Sequence, residues 1–154
     1  MNKFLTSECY ALLISEIQHI KNTQMPAIAE EISIARSHGD LRENAQYASA
    51  KEKQRMIESR LNELEDVIGT HTVVEINGKI FDKVAFGCKV EIIFEDDNSK
   101  KSFQILSDYD SDISKGIISI NSPISRAIIG LSHGETSELI INGKTRDITI
   151  NKIS

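Results

Sequence analysis

The chain has 154 residues, 40% of them hydrophobic and 27% charged, with a formal net charge of −5. This is the composition of a globular protein and excludes a disordered or fibrous chain, while the acidic balance argues against coating duplex nucleic acid through phosphate neutralisation. No apolar run approaches the roughly 18 residues that cross a bilayer, and the start MNKFLTSECY lacks an apolar core followed by a small-residue cleavage site; a cytoplasmic protein is expected.

Residues 1–70 carry 8 basic and 11 acidic side chains, and residues 71–154 carry 10 and 12, so neither part is a basic arm. Contact with nucleic acid has to be local, or arranged by a partner protein. Cys9 and Cys88 fall in different parts of the chain and neither lies in a CxxC or Cys/His ligand pattern, so both read as small apolar packers.

From Thr6 to Ile68 the apolar residues recur at three and four. Leu13, Ile17, Ile20, Ile28, Ile32 and Ala35 mark one arm, and Ala45, Ala48, Ile57, Leu61, Leu64 and Ile68 the other. The intervening faces are polar, which predicts two amphipathic helices of coiled-coil type. Pro26 lies inside the first arm and predicts a kink without a break, because the helical spacing continues beyond it. Ser37-His38-Gly39-Asp40 separates the arms, with Gly39 suited to a left-handed terminal position and Asp40 to capping the next helix. So short a connection predicts antiparallel neighbours, each of roughly 30 residues and therefore some 45 Å long.

After Gly69 the pattern changes to short β-branched and aromatic runs: Val73–Ile76, Lys89–Phe94, Lys101–Leu106, Gly116–Ile120, Ser137–Ile141 and Thr145–Ile150. Asn142-Gly143 predicts a type I′ hairpin, and Asp96-Asp97-Asn98-Ser99 a second turn. Ser122-Pro123 predicts a capped helix start, with Ile124, Ala127, Ile128 and Leu131 on one face. The fold class expected is therefore α plus α+β: a helical hairpin over residues 1–75, then a compact unit over 76–154 with a mostly antiparallel sheet and one short helix.

Phosphate-binding loops, zinc-protease helices and nucleophile elbows are absent. The dense polar constellation is the hairpin connection, Arg36 to Asn44. Asp40 and Glu43, three apart at a helix start, can bring two hard carboxylate ligands together, a set that suits Mg²⁺. Magnesium leaves most of its positions to water and phosphate, so two acids complete a site but hardly build one. The same Asp-x-x-Glu is also what an ordinary capped helix start looks like, and both readings stand at this point. Arg36, Arg42, Lys51 and Arg55 place positive charge along the distal hairpin, either for nucleic-acid phosphates or a partner protein's carboxylates, or as a solvated face paired with Glu43, Glu52 and Glu58. His38 reads as a solvated turn residue.

The run from Ile32 to Tyr47, with Ala35-Arg36 and then His38-Gly39-Asp40-Leu41-Arg42-Glu43-Asn44-Ala45, resembles the tip signature of the Gre family of bacterial transcript cleavage factors, GreA type. Gly116 to Gly130, GIISINSPISRAIIG, resembles the same family's C-terminal segment, and the order of elements agrees along nearly the whole chain. The resemblance implies a coiled-coil hairpin inserted in the secondary channel of bacterial RNA polymerase. It also implies an FKBP-like α+β domain bound at the channel rim, with Ser122 and Pro123 in the polymerase-binding segment. Asp40 and Glu43 would share a Mg²⁺ with the polymerase active site, the chain having no cofactor of its own. Cleavage of the 3′ end of backtracked nascent RNA would be stimulated, by a factor that is not itself an enzyme and acts as a monomer. Leu106-Ser107 and Tyr109 depart from the family's usual residues there. Rival readings are a channel-binding inhibitor, which an intact Asp40/Glu43 pair disfavours, and a peptidyl-prolyl isomerase, which would need an aromatic-lined pocket.

Overall fold

A computed structural model describes residues 3–39 and 44–154. Its elements run β1 (Phe4–Thr6), α1 (Ser7–His19), one wide helical stretch (Ile20–Gln24), α2 (Met25–Ser37), α3 (Ala45–Thr70), β2 (Thr72–Val74), β3 (Lys89–Phe94), β4 (Lys100–Leu106), β5 (Ile117–Ser119), α4 (Pro123–Ile128), β6 (Thr136–Ile141) and β7 (Lys144–Ile153). They form two units, Tyr10–His71 and a second one in which the described residues up to Cys9 join Thr72–Ser154.

In the helical unit, the stretch before Pro26 shows how proline is accommodated. Pro26 has no N–H and crowds the preceding turn, and the helix answers by widening to i→i+5 bonding over Ile20–Gln24, with the Met25 N–H donating to the Ile20 carbonyl. The expected distortion is there, and the helix continues through it as α2. The arms run antiparallel, since Ala35 is bonded to Asn44, His38 to Gln46, Glu31 to Lys53 and Lys21 to Glu65. Arg60 of α3 adds a two-pronged bond to Glu16 of α1, at 2.9 and 3.1 Å. Apolar residues at helical spacing close the seam, with Ile28, Ile32 and Ala50 buried and Tyr47 and Ile57 packed against them. Each fully buried isoleucine or leucine contributes roughly 1.5–3 kcal/mol.

The other unit is built on a five-stranded sheet in the order β5-β4-β3-β7-β6, antiparallel except for the β4–β5 pair. Val90, Ile92, Phe94, Phe103, Ile105, Leu106, Leu139, Ile148 and Ile150 are its buried residues, and Ile128 of α4 is fully buried with them. At the β6–β7 turn Asn142 and Gly143 both take positive φ, 53° and 76°, as a type I′ turn requires. Ser122 caps α4 by accepting a hydrogen bond from the Ser125 N–H, and Pro123 opens it.

Two features differ from expectation. Phe4–Thr6 forms a strand paired in parallel with Thr72–Val74, so residues before Cys9 belong with the sheet unit, and the units part at His71/Thr72 where a division at 75/76 was expected. The strand expected at Val73–Ile76 stops at Val74 because the Glu75 carboxylate turns to accept the Asn77 N–H, at 3.1 Å. Cys9 and Cys88 are free and buried, and burial pushes the Cys9 thiol up to about 11, as expected of packing residues.

Candidate functional site at the hairpin turn

The two sides of the hairpin meet around Asn44. α2 ends with His38 at φ −83° and ψ −1°, and Gly39 follows at φ +112°, a backbone conformation that glycine takes without strain. Asp40, Leu41, Arg42 and Glu43 lie outside the described residues. On the far side the cap of α3 is Asn44: its Oδ1 accepts the Tyr47 N–H at 3.0 Å, while its Nδ2 donates to the Ala35 carbonyl at 2.6 Å. One side chain thus caps the second helix and clasps it to the end of the first. His38 Nδ1 meets Gln46 Oε1 at 3.0 Å and makes a second tie across the turn.

Asp40 is suited by sequence to cap the second helix, and it lies outside the described residues. The described start of α3 is served by Asn44, so that start does not require a cap from either acid. The signal for Asn44 was present, an Asn three residues before Tyr47 at the head of an apolar-periodic run, but two acids in a capping-box pattern sat just ahead of it. Replacing Asn44 with Ala should remove both bonds and weaken the local structure by about 1–2 kcal/mol. That corresponds to roughly fivefold to thirtyfold faster hydrogen exchange at the Tyr47 amide. Asn44→Asp, which keeps the cap and loses the donor to Ala35, should fall between.

Three of the four predicted basic residues lie near Tyr47, and Arg36 touches it. The Arg36 guanidinium lies 5.7 Å from its ring centre. Hydrogen bonding to Arg36, with the positive charges of Arg36, Lys51 and Arg55 nearby, holds the Tyr47 phenol below its usual range. Lys51 also donates to Gln54 at 2.9 Å, and Arg55 pairs with Glu52 at 2.9 Å. Such an exposed pair contributes little to stability and is easily exchanged for another anion. Arg36, Lys51 and Arg55 thus lie on the tyrosine's side of the hairpin near the turn, Arg36 in direct contact with the ring. Arg42 lies outside the described residues.

Ser122 and Pro123, the predicted partner-binding pair, sit at the start of α4 in the sheet unit, Ser122 half-buried and Pro123 exposed. One groove on that unit, of about 410 Å³, is lined by Lys89, Glu91, Gln104, Lys115 and others, with Phe103 as its one aromatic side chain.

A helical hairpin with a charged, polar turn, joined to a mostly antiparallel sheet unit with one short helix, is the build of a transcription elongation factor, and the family models agree for both parts. "Transcription elongation factor, N-terminal" matches residues 3–73, and "Transcription elongation factor, GreA/GreB, C-term" matches 66–154. The chain belongs to the GreA/GreB family. It is 44% identical over 154 residues to transcription elongation factor GreA of Mesorhizobium japonicum, covering 99% of this chain and 98% of that one. With GreA of Brucella canis it shares 40% over 151 residues, covering 97% and 96%. Among solved structures, GreA factor homolog 1 (Gfh1) of Thermus thermophilus aligns with a TM-score of 0.46 at 20% identity, covering 100% of this chain and 99% of that one.

Proposed function

We propose that this elongation factor binds bacterial RNA polymerase and stimulates the polymerase's own endonucleolytic cleavage of the 3′ end of backtracked nascent RNA. The observation that carries this reading is the run Arg36 to Tyr47, a GreA-type tip signature lying in the connection of an antiparallel helical hairpin, in a chain that matches the family from end to end. The hairpin enters the secondary channel, and the sheet unit docks at the channel rim through the Ser122-Pro123 segment.

The donor set fits a shared magnesium ion. Asp40 and Glu43 offer two hard oxygen ligands in a connection bounded by Gly39 and Asn44, and magnesium commonly takes one or two carboxylates with water and phosphate in its other positions. Asp40 and Glu43 would hold the ion together with ligands of the polymerase, the chain having no cofactor of its own. Bound there, magnesium would supply charge stabilisation at the scissile phosphate and acidify a bound water. Asp40 and Glu43 also orient the attacking water toward phosphorus. Arg36, Arg42, Lys51 and Arg55 steady the extruded RNA or polymerase carboxylates beside it. The factor works in the cytoplasm as a monomer, because one hairpin occupies one channel.

The test is RNA length in a stalled, backtracked elongation complex with Mg²⁺ and 5′-labelled transcript. Addition of the chain should speed the appearance of RNA shortened at its 3′ end and capable of renewed extension. Cleavage that stays at the polymerase's intrinsic rate while the chain is demonstrably bound would refute the proposal and favour the inhibitor.

A further inference from the structure

The hydrogen bonds around α4's start single out a residue in another turn. Asp108 follows β4, its backbone eleven residues from Ser119, and it is exposed at the surface. One of its carboxylate oxygens accepts from the Ser119 hydroxyl and the other from the Asn121 side-chain amide, the latter at 3.1 Å. The Ser119 hydroxyl in turn accepts the Asn121 N–H at 3.0 Å, and the Ser119 carbonyl accepts both the Ser122 N–H at 3.0 Å and the hydroxyl of fully buried Ser125 at 2.7 Å. Ser122 lies between these, bonded through its hydroxyl to Ser125 at 3.0 Å. The Asp108 turn is itself anchored, since the buried Ser107 hydroxyl donates to Asp110 at 3.2 Å and the Asp110 N–H returns to the Ser107 carbonyl.

We propose that Asp108 is a positioning residue that fixes the Ser119–Ser122 turn, and through it the Ser122-Pro123 segment, in the conformation that binds polymerase; this rests on the polymerase contact proposed above. Asp108 reaches no residue of the buried core through these bonds, so its two oxygens order the turn and do little to hold up the fold. A carboxylate suits the task because it accepts with both oxygens, whereas an asparagine accepts with one. Asn121 must remain a donor: an aspartate there would set two like charges against each other at hydrogen-bond distance.

The experiment compares Asp108→Ala, Asn121→Asp and the exchanged pair Asp108→Asn with Asn121→Asp. The exchanged pair restores one acceptor for Ser119 and one donor–acceptor bond between positions 108 and 121. Each protein is measured for affinity to purified polymerase core enzyme and for hydrogen exchange at the Asn121 and Ser122 amides. Each of the first two variants should bind about tenfold more weakly and exchange faster, as the loss of charge-assisted bonds implies, and the exchanged pair should return to within about threefold of wild type. Rescue by the exchange distinguishes a specific orienting bond from general damage. Unchanged exchange in Asp108→Ala, or an exchanged pair no better than Asn121→Asp alone, overturns the role of Asp108. If wild type binds and Asp108→Ala binds equally, this inference alone fails. If wild type itself does not bind, the proposed function fails and takes the binding half of the inference with it.

Discussion

Asp40→Ala and Glu43→Ala are each expected to reduce stimulated transcript cleavage by about 10²–10³-fold at saturating factor, with polymerase affinity unchanged, the scale lost when one preorganised charge-stabilising group is removed. The separation between activity and binding is the point of the experiment. A carboxylate that only capped a helix would, when truncated, cost about 1 kcal/mol of local stability and leave cleavage untouched. The described start of α3 already has its cap in Asn44, and the α2 side is tied to it through Ala35 and His38, so the hairpin should keep its melting behaviour in both variants. Residual cleavage should also respond to magnesium. With one carboxylate charge removed, an Asp40→Asn protein should need a higher Mg²⁺ concentration to reach half its maximal rate, while wild type saturates earlier. Full activity in both variants would reduce the acids to local structure. Parallel loss of affinity and activity would make them contacts with the polymerase, not metal ligands.

Much of this fold could be read from periodicity alone, because burial is one-sided in both units. The change from three-and-four spacing to short β-branched runs falls at the end of α3, and strands β3, β4, β6 and β7 lie where the alternation put them, lengthened by up to four residues where the ladder continues into polar residues such as Lys152. Ser122-Pro123 and Asn142-Gly143 were legible because each combines two backbone constraints that few other structures satisfy. What escaped was non-local. Three residues, Phe4 to Thr6, are too few to show a period, and their partner strand lies 68 residues away, so nothing near them marks them as a strand. The same holds for the Asp108 bonds, which join two turns through side chains, and for the gathering of Arg36, Lys51 and Arg55 about Tyr47, which needs the helix pairing before it can be seen. Asn44 was hidden for another reason: a stronger-looking capping pattern stood four residues earlier, and propensity cannot choose between two adjacent caps.

Gly87→Ala should be the most damaging single methyl group in the sheet unit, lowering its stability by about 2–4 kcal/mol, or roughly 10–20 °C in melting temperature. Two costs coincide there. Gly87 has φ +94°, where an L side chain is strained, and an added Cβ would lie 2.5 Å from Ile76 Cγ2 and 3.1 Å from Ile76 Cβ. Relief by a small shift of the backbone is blocked, since the Gly87 N–H donates to the Ile105 carbonyl at 2.7 Å and its carbonyl accepts from Gln104 Nε2 at 3.2 Å. Gly134→Ala separates the two costs: its φ of +84° imposes the strain, but no atom lies within 4 Å of the new methyl, so about 1 kcal/mol is expected. Combining Gly87→Ala with Ile76→Ala removes the clashing side chain and should recover part of the loss, leaving a positive coupling energy between the two sites. The measurement is thermal unfolding followed on the sheet unit's near-ultraviolet signal, together with polymerase affinity. If Gly87→Ala melts no lower than Gly134→Ala, steric closure by Ile76 contributes nothing and the strain of the backbone accounts for the whole effect. If it melts lower and polymerase affinity falls only above the new melting temperature, the damage lies in the fold of the sheet unit and not in the proposed binding surface.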